Sequence, residues 1–423
     1  MLLKDKNILL AVTSSIAIYK SLELIRLYIK AGANVKVIMT EASQKFITPL
    51  TFEAISQNKV LCETTESWEK NQDYNHIDIG KWVDIFVIAP ATANTINKLA
   101  NGISDNLLTQ TALAYPRVKL LAPAANTNML KNPITQANLK LLKLCNYEMV
   151  SSQVKELACK DVGDGAMADP SEIFYATARE LLKDNYWTDR KVVLSGGGTI
   201  EKIDEVRYIS NFSSGKMASS LALALFLKGA DVCLVSTRGY DNLPKDIHVI
   251  PVQSSAQMYE YLVDSLRVAK KGKMSKPTLM DDSKATLIEK KPFLFMVAAV
   301  SDYLPNFPQE GKLKKEVLGS SWNLELIQNM DILAALPKDG IYTVGFKAEM
   351  DDTVAFDNAK NMIEKKNIDA VCLNILNDSS SFGSNTNEIE LILENNDYSL
   401  KGEKLDISLD ILDKLQIEFN LDD

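Results

Sequence analysis

Only two histidines and five cysteines occur among 423 residues, so proton and sulfur chemistry has few places to happen. His76 lies in Tyr74-Asn75-His76-Ile77-Asp78-Ile79-Gly80-Lys81-Trp82, ahead of a predicted helix that feeds the apolar run at Ile85. Imidazole titrates near neutrality and is the usual group for moving a proton, although a histidine at a helix start also caps or packs. Cys159 precedes Gly163 and Gly165 in Leu157–Met167, beside Lys160 and away from any apolar run. That setting suits a proton donor or nucleophile better than an inert buried thiol. Ala89-Pro90-Ala91-Thr92-Ala93-Asn94-Thr95 leaves a strand with hydroxyl and amide side chains fit for the polar groups of a ring or sugar-alcohol chain. Pro123-Ala124-Ala125-Asn126-Thr127-Asn128-Met129 repeats the arrangement, with Asn126 able to donate to a carboxylate and Met129 able to pack on an apolar face. Both segments also read as turns that need no ligand, the first capped by Thr92 or Asn94.

The second half carries a different set. Ser195-Gly196-Gly197-Gly198-Thr199 ends an apolar run, and Glu205–Met217 precedes a long apolar helix that stops at Gly229. Ser213 or Ser214 can cap that helix, and its start with Lys216 makes an anion site. The segment is not a P-loop, because no glycine stands five residues before Gly215. Ala298-Ala299-Val300-Ser301-Asp302-Tyr303 closes a strand with an acid, and Lys312-Leu313-Lys314-Lys315 follows. An aspartate for a ribose, base or metal and lysines for phosphates suit a nucleoside triphosphate; a solvated charge run is the plainer reading of the lysines. Gly345-Phe346-Lys347-Ala348-Glu349 closes another strand, where Phe346 can flank a base.

These groups sit on elements that alternate. Strands are expected at Ile8–Val12, Asn34–Met39, Ile85–Pro90 and Val118–Pro123, with a helix over Tyr19–Ala31 closing at Gly32. A second series runs through Val192–Leu194, Asp231–Val235, Phe293–Ala298, Tyr342–Phe346 and Ala370–Leu373. Strand–helix alternation of this kind predicts α/β architecture, here two doubly wound Rossmann-like domains, 1–188 and 189–423, joined by a linker near Asp184–Arg190. Lys270–Lys291, rich in Lys, Ser and Asp, reads as an exposed loop. A net charge of −8 argues against nucleic acid or an anionic membrane as partner. No apolar run approaches a membrane span, and no signal peptide is evident at Met1–Leu10. Scattered cysteines without a Cys-x-x-Cys pair fit reduced thiols in a cytoplasm, with neither zinc site nor disulfide framework.

At the motif level the first half resembles the flavin-dependent phosphopantothenoylcysteine decarboxylases over residues 5–180. The resemblance rests on Thr13-Ser14-Ser15-Ile16-Ala17 with Tyr19-Lys20, Met39-Thr40-Glu41-Ala42, Phe46–Phe52, His76, Ala89–Thr95, Pro123-Ala124 with Asn126, and Ala158-Cys159 with Asp161, Gly163 and Gly165. It implies a flavodoxin-like domain that binds FMN through Ser14, Ser15, Thr40, Ala91, Thr92, Asn94, Thr95 and Ala124. His76 takes the base-type role, Asn126 and Met129 contact substrate, and Cys159 donates a proton. A cysteinyl carboxylate loses CO2 only if its electrons have a sink; oxidation of the thiol to a thioaldehyde supplies one, and re-reduction with a proton restores the saturated product. Ser14 stands where the family usually has Gly, and Ala125 where it has Met.

The second half resembles phosphopantothenate–cysteine ligase over residues 190–420, on Gly196–Thr199 with Glu201, Arg207–Met217, Ala298–Tyr303, Lys312–Lys315 and Gly345–Glu349. The order of halves is that of the bacterial bifunctional enzymes of coenzyme A biosynthesis. By that resemblance CTP and Mg2+ activate the phosphopantothenate carboxylate as an acyl-cytidylate, which cysteine then attacks. Asn211 and Lys312 serve the intermediate, and Arg207, Ser213, Ser214, Gly215 and Lys216 bind substrate. Gly197, Ala298, Ala299, Asp302, Lys312, Asn329, Met330, Asp331, Ile332, Phe346 and Lys366 bind the nucleotide, Asp302 also its metal. Glu205, Ala218 and Met362 replace the family's usual Pro, Gly and Lys. Homo-oligomers are implied, trimeric through decarboxylase domains and dimeric through ligase domains. The alternatives are a chain with only one active half, and a non-catalytic flavoprotein that regulates a partner.

Overall fold

A computed structural model describes residues 1–69, 75–156, 162–275, 277–279, 285–375 and 383–419. The chain forms two compact units, Met1–Leu182 with Ser275–Thr286, and Lys183–Met274 with Leu287–Asp423. No helix among the described residues is long and apolar enough to cross a membrane.

The first unit is built on five parallel strands, Asn7–Val12, Asn34–Met39, Ile85–Ala91, Lys119–Pro123 and Tyr147–Met149. Their spatial order is second, first, third, fourth, fifth. Helices cover both faces, so the central strands are apolar throughout rather than alternating. Every residue of Ile85–Ala91 is buried, and Leu9, Ala11, Phe86, Ile88 and Leu121 share one core. The helix Tyr19–Lys30 ends one residue earlier than the expected Ala31, which caps it, and Gly32 follows at φ +95°. Tyr28 shares a 2.7 Å hydrogen bond with Thr177, joining that helix to Pro170–Leu182. An antiparallel hairpin of Gln153–Glu156 and Val162–Ala166 stands apart from the sheet.

The second unit has eight strands. Six are parallel, in the order His248–Pro251, Asp231–Ser236, Lys191–Gly196, Phe293–Met296, Tyr342–Glu349, Ala370–Ile375. In chain sequence that is 3-2-1-4-5-6, the doubly wound dinucleotide-fold order. Thr386–Leu393 and Asp397–Glu403 add an antiparallel edge that the sequence reading did not include. The expected strand Phe293–Ala298 stops at Met296, because the N–H groups of Val297 and Ala298 turn onto Ser195 Oγ at 3.0 and 3.1 Å.

Two expectations need correction. Asp184–Arg190, expected as the linker, follows the boundary at Leu182 and packs as part of the second unit, where Trp187, Arg190 and Tyr186 are buried. The Trp187 ring lies 4.8 Å from Phe293, and the Arg190 guanidinium 4.0 Å over Tyr186. Burial of aromatic surface outweighs the polar character of the neighbouring Asp and Asn residues. Lys270–Lys291 is likewise not all loop, since Lys273–Met274 pairs antiparallel with Leu287–Ile288.

Candidate functional sites

In open α/β sheets ligands bind beyond the carboxyl ends of the strands, where the winding direction reverses. In the first unit that point lies between Asn7–Val12 and Ile85–Ala91. The buried hydroxyl of Thr13 stitches the two following loops together, donating to Pro90 O at 2.7 Å and accepting from Thr92 N at 3.1 Å. Ser15 accepts from Ala17 N at 3.3 Å and caps the next short turn of helix, leaving Ser14 exposed. Thr40 N donates to Val12 O at 3.3 Å, and Ala124 N to Ala91 O at 2.9 Å. Thr92 caps Ala93–Ala100 by accepting from Thr95 N, and Asn94 is exposed on that helix. The sequence-predicted cofactor residues therefore stand at the ends of four neighbouring strands, their polar atoms uncharged donors and acceptors.

His76 is the first residue of the helix His76–Trp82. The N-cap Asn75 fixes that start by accepting from Ile77 N at 3.0 Å and Asp78 N at 2.9 Å. Glu66, which the sequence reading did not single out, places Oε1 2.9 Å from His76 Nδ1. The partners stand ten residues apart in sequence, a separation that no helix or strand period announces.

Asn126 caps Thr127–Lys131 by accepting from Asn128 N at 2.9 Å, and Met129 is 52% exposed on that helix. The return strand of the hairpin lies against this turn: Ala125 N donates to Gly165 O at 3.2 Å. A Cβ at Gly165 would collide with Ala125 O, so the close approach requires glycine there. Cys159 belongs to 157–161, outside the described residues. The hairpin base is held by Asp169, also absent from the sequence expectations. It accepts from Gln153 Nε2 at 2.8 Å, Lys155 Nζ at 2.9 Å and Lys20 Nζ at 3.2 Å. Burial pushes the Asp169 carboxyl up, but these hydrogen bonds prevail and hold it below the usual carboxylate range.

In the second unit the reversal lies between Lys191–Gly196 and Phe293–Met296, and a cavity of about 1010 Å³ opens there. Backbone and side chain both stitch its floor: Ala299 N donates to Gly197 O at 2.8 Å, Thr199 N to Ala299 O at 3.2 Å, and Ser301 N to the buried Thr199 Oγ1 at 3.0 Å. Gly197 adopts φ +79°, a conformation that favours glycine.

The cavity collects Gly197, Asn211, Ser213, Ser214 and Gly215 from one side of the expected set. Ala298, Ala299, Asp302, Phe346 and Lys366 join them, as does the run Asn329, Met330, Asp331 and Ile332. Asn211 Nδ2 donates to Val300 O at 2.9 Å, and Asn329 Nδ2 to Ser301 O at 2.8 Å. Lys366 pairs with Asp331 at 2.8 Å; burial raises the Asp331 carboxyl, yet the Lys366 hydrogen bond carries it below its ordinary value. Asp302 is exposed at the rim, and no group of three or more metal-ligating side chains is present among the described residues.

Arg207, Lys216 and Lys312 of the expected set are not in the cavity lining, and the start of the helix at Lys216 is built differently from the expected serine cap. Gly215 itself, at φ +72°, is the N-cap of Lys216–Leu227, while Ser214 Oγ accepts from Lys216 N, the first N–H of that helix, at 3.4 Å. Lys216 turns to Gly383 O at 2.6 Å and Asn385 Oδ1 at 2.8 Å. Arg207 donates to buried Asp204 at 2.5 and 3.0 Å and to Leu313 O at 2.8 Å, beside exposed Lys312. The Arg207 hydrogen bonds, with Val206, Leu313 and Arg207 N–H groups, hold the Asp204 carboxyl well below the usual range.

The model of the Flavoprotein family matches residues 2–182, and that of the DNA/pantothenate metabolism flavoprotein C-terminal domain matches 187–275 and 272–417. A coenzyme A biosynthesis bifunctional protein CoaBC from Haemophilus influenzae is 34% identical over 98% of this chain and 98% of its own length. The protein of that description from Bacillus subtilis is 34% identical over 99% of this chain and 96% of its own. A solved PPC decarboxylase variant complexed with pantothenoylaminoethenethiol is 32% identical, covering 41% of this chain and 97% of that one at a TM-score of 0.38. The chain belongs to the bifunctional coenzyme A biosynthesis family, enzymes that join phosphopantothenoylcysteine decarboxylase to phosphopantothenate–cysteine ligase in one polypeptide.

Proposed function

We propose that the second unit uses CTP with Mg2+ to join 4'-phosphopantothenate to cysteine, and that the first unit uses FMN to decarboxylate the product to 4'-phosphopantetheine. The observation that carries the reading is the cavity of about 1010 Å³ at the second unit's winding reversal, which brings together residues spread in sequence from Gly197 to Lys404. Asn211 and Asn329 present side-chain amides there, and Lys366 and Lys347 present ammonium groups. A triphosphate needs positive charge where pyrophosphate leaves; Lys366 and Lys347, ion-paired with Asp331 and Glu349, are ammonium groups in the cavity wall, and the family resemblance adds Lys312. Met362 lines the cavity with a thioether where the family has an ammonium, so these lysines carry the phosphate contacts. Mg2+ that arrives on a triphosphate takes only one or two protein carboxylates, which fits the exposed Asp302 in the cavity lining.

In the first unit the donor set fits a flavin mononucleotide. Ser14, Ser15, Thr40, Thr92, Asn94 and Thr95 offer hydroxyls, an amide and loop N–H groups for its ribityl chain and phosphate. When bound, FMN supplies a two-electron acceptor that is restored within one turnover. His76 then moves the substrate proton, Asn126 holds the carboxylate, Met129 packs on the pantetheine chain, and Cys159 returns a proton. A cytoplasmic setting and assembly through trimeric decarboxylase and dimeric ligase contacts complete the reading.

Purified protein should be yellow and should convert phosphopantothenoylcysteine to phosphopantetheine with release of CO2. Supplied separately with CTP, phosphopantothenate and cysteine, it should release pyrophosphate and CMP. Colourless protein that FMN does not reconstitute removes the first assignment, and absence of CMP removes the second. Light scattering that finds a monomer removes the oligomer.

A further inference from the structure

We infer that Glu66 is the positioning residue of the decarboxylase site, fixing which imidazole nitrogen of His76 is free to take a proton. The inference rests on the assignment of His76 as the proton-moving group. Three independent contacts immobilise the ring. The Asn75 cap fixes the backbone at the helix start, as described above. The Glu66 carboxylate holds Nδ1 at 2.9 Å, both side chains being less than a quarter exposed. Trp68 meets the imidazole edge-on, with ring centroids 5.4 Å apart and planes at 84°.

A carboxylate has lone pairs and no proton to give, so the nitrogen facing it carries the hydrogen. Nδ1–H therefore points at Glu66 and Nε2 keeps its lone pair. Without Glu66 the ring is free to exchange tautomers and to rotate about χ2, and the fraction with a basic Nε2 correctly aimed falls. The cost lands on turnover rather than on binding, because Glu66 acts through His76 and not on substrate.

Two histidines in the chain make the test direct. Long-range 1H–15N spectra of the full-length, flavin-loaded protein, with a His248→Gln variant to assign the signals, should show His76 as the Nδ1–H tautomer. Glu66→Met should shift His76 toward Nε2–H and lower decarboxylase kcat about 10–100-fold, by analogy with the loss of the carboxylate that orients a metal-ligating histidine. KM should stay within about twofold, and the flavin spectrum and the ligase rate should be unchanged. Glu66→Gln, which still offers an acceptor oxygen, should keep the Nδ1–H tautomer and most of kcat. An Nε2–H tautomer in the wild type, unchanged kcat in Glu66→Met, or equal losses in the Met and Gln variants would overturn the inference. A wild-type protein that does not decarboxylate strikes the functional assignment instead, and the tautomer is measurable without turnover.

Discussion

The two winding reversals are closed by similar chemistry in different amounts. At the first, one side chain, Thr13, bridges the loops after strands one and three. At the second, two hydroxyls and a pair of backbone hydrogen bonds do so, the pair making Gly198 and Ala299 an isolated parallel bridge. The first site is therefore assembled from side chains that project from separately capped elements, such as Asn75, Thr92 and Asn126. The second has a continuous backbone floor under its cavity. A fold order that selects where ligands bind does not dictate how rigidly the site is built.

The largest expected effects separate the two regions. His76→Asn should cut decarboxylase turnover by about 10²–10⁴-fold, the usual worth of general acid–base catalysis, while CMP release continues at the wild-type rate. Wild-type decarboxylation in that variant would remove His76 from the mechanism. Asn211→Asp should do the reverse, slowing ligation at least about tenfold, as loss of one good transition-state hydrogen bond does, with the acyl-cytidylate accumulating in quenched reactions. Unchanged product formation with no intermediate would count against it.

Smaller effects sharpen the contrast in stitching. Thr13→Val leaves Pro90 O without a donor and Thr92 N without an acceptor at a buried site, which costs about 1–3 kcal/mol. Urea should release flavin at lower concentration in that variant. Thr199→Val loses only the bond to Ser301 N, and the neighbouring backbone pairs remain, so its penalty should fall at the low end of that range. Equal or reversed penalties would contradict the picture of a backbone-floored second site.

The smallest prediction concerns pH. Asp169 is held below its ordinary value, so its contribution is fully present above the unfolded aspartate value of about 3.9 and lost as pH falls through the lower folded value. Amide exchange in Gln153–Glu156 should therefore be slow at neutral pH and rise in acid beyond the intrinsic chemical trend. Asp169→Asn should raise exchange at neutral pH and flatten that dependence; a wild-type profile in the variant would release Asp169 from this role.

Central strands were legible because burial on both faces forces unbroken apolar runs, as in Ile85–Ala91. The last two strands, Thr386–Leu393 and the edge strand Asp397–Glu403, were not, since Glu388, Glu390 and Lys401 interrupt their apolar pattern with charge. The aromatic run at Tyr186–Trp187 was misread as a linker because composition reports polarity, not which rings find partners. Site residues with strand-end motifs were legible in type and order. Glu66, Asp169 and Asp204 were not, because each matters through a partner that the fold supplies: His76 ten residues on, Lys20 149 residues back, Leu313 across 109 residues.

The Arg207–Asp204–Leu313 contact has a consequence for how ligase variants behave. Ordering a loop costs about 1–2 kcal/mol per residue in backbone entropy. Here the turn that leads into the lysine run is fixed by hydrogen bonds to a buried carboxylate of the protein itself, so the cost falls on folding rather than on binding. An Arg207→Met variant would therefore lose nucleotide affinity without any contact having been removed from the ligand. Its defect would shrink if the turn were stiffened by other means, which a lost contact would not.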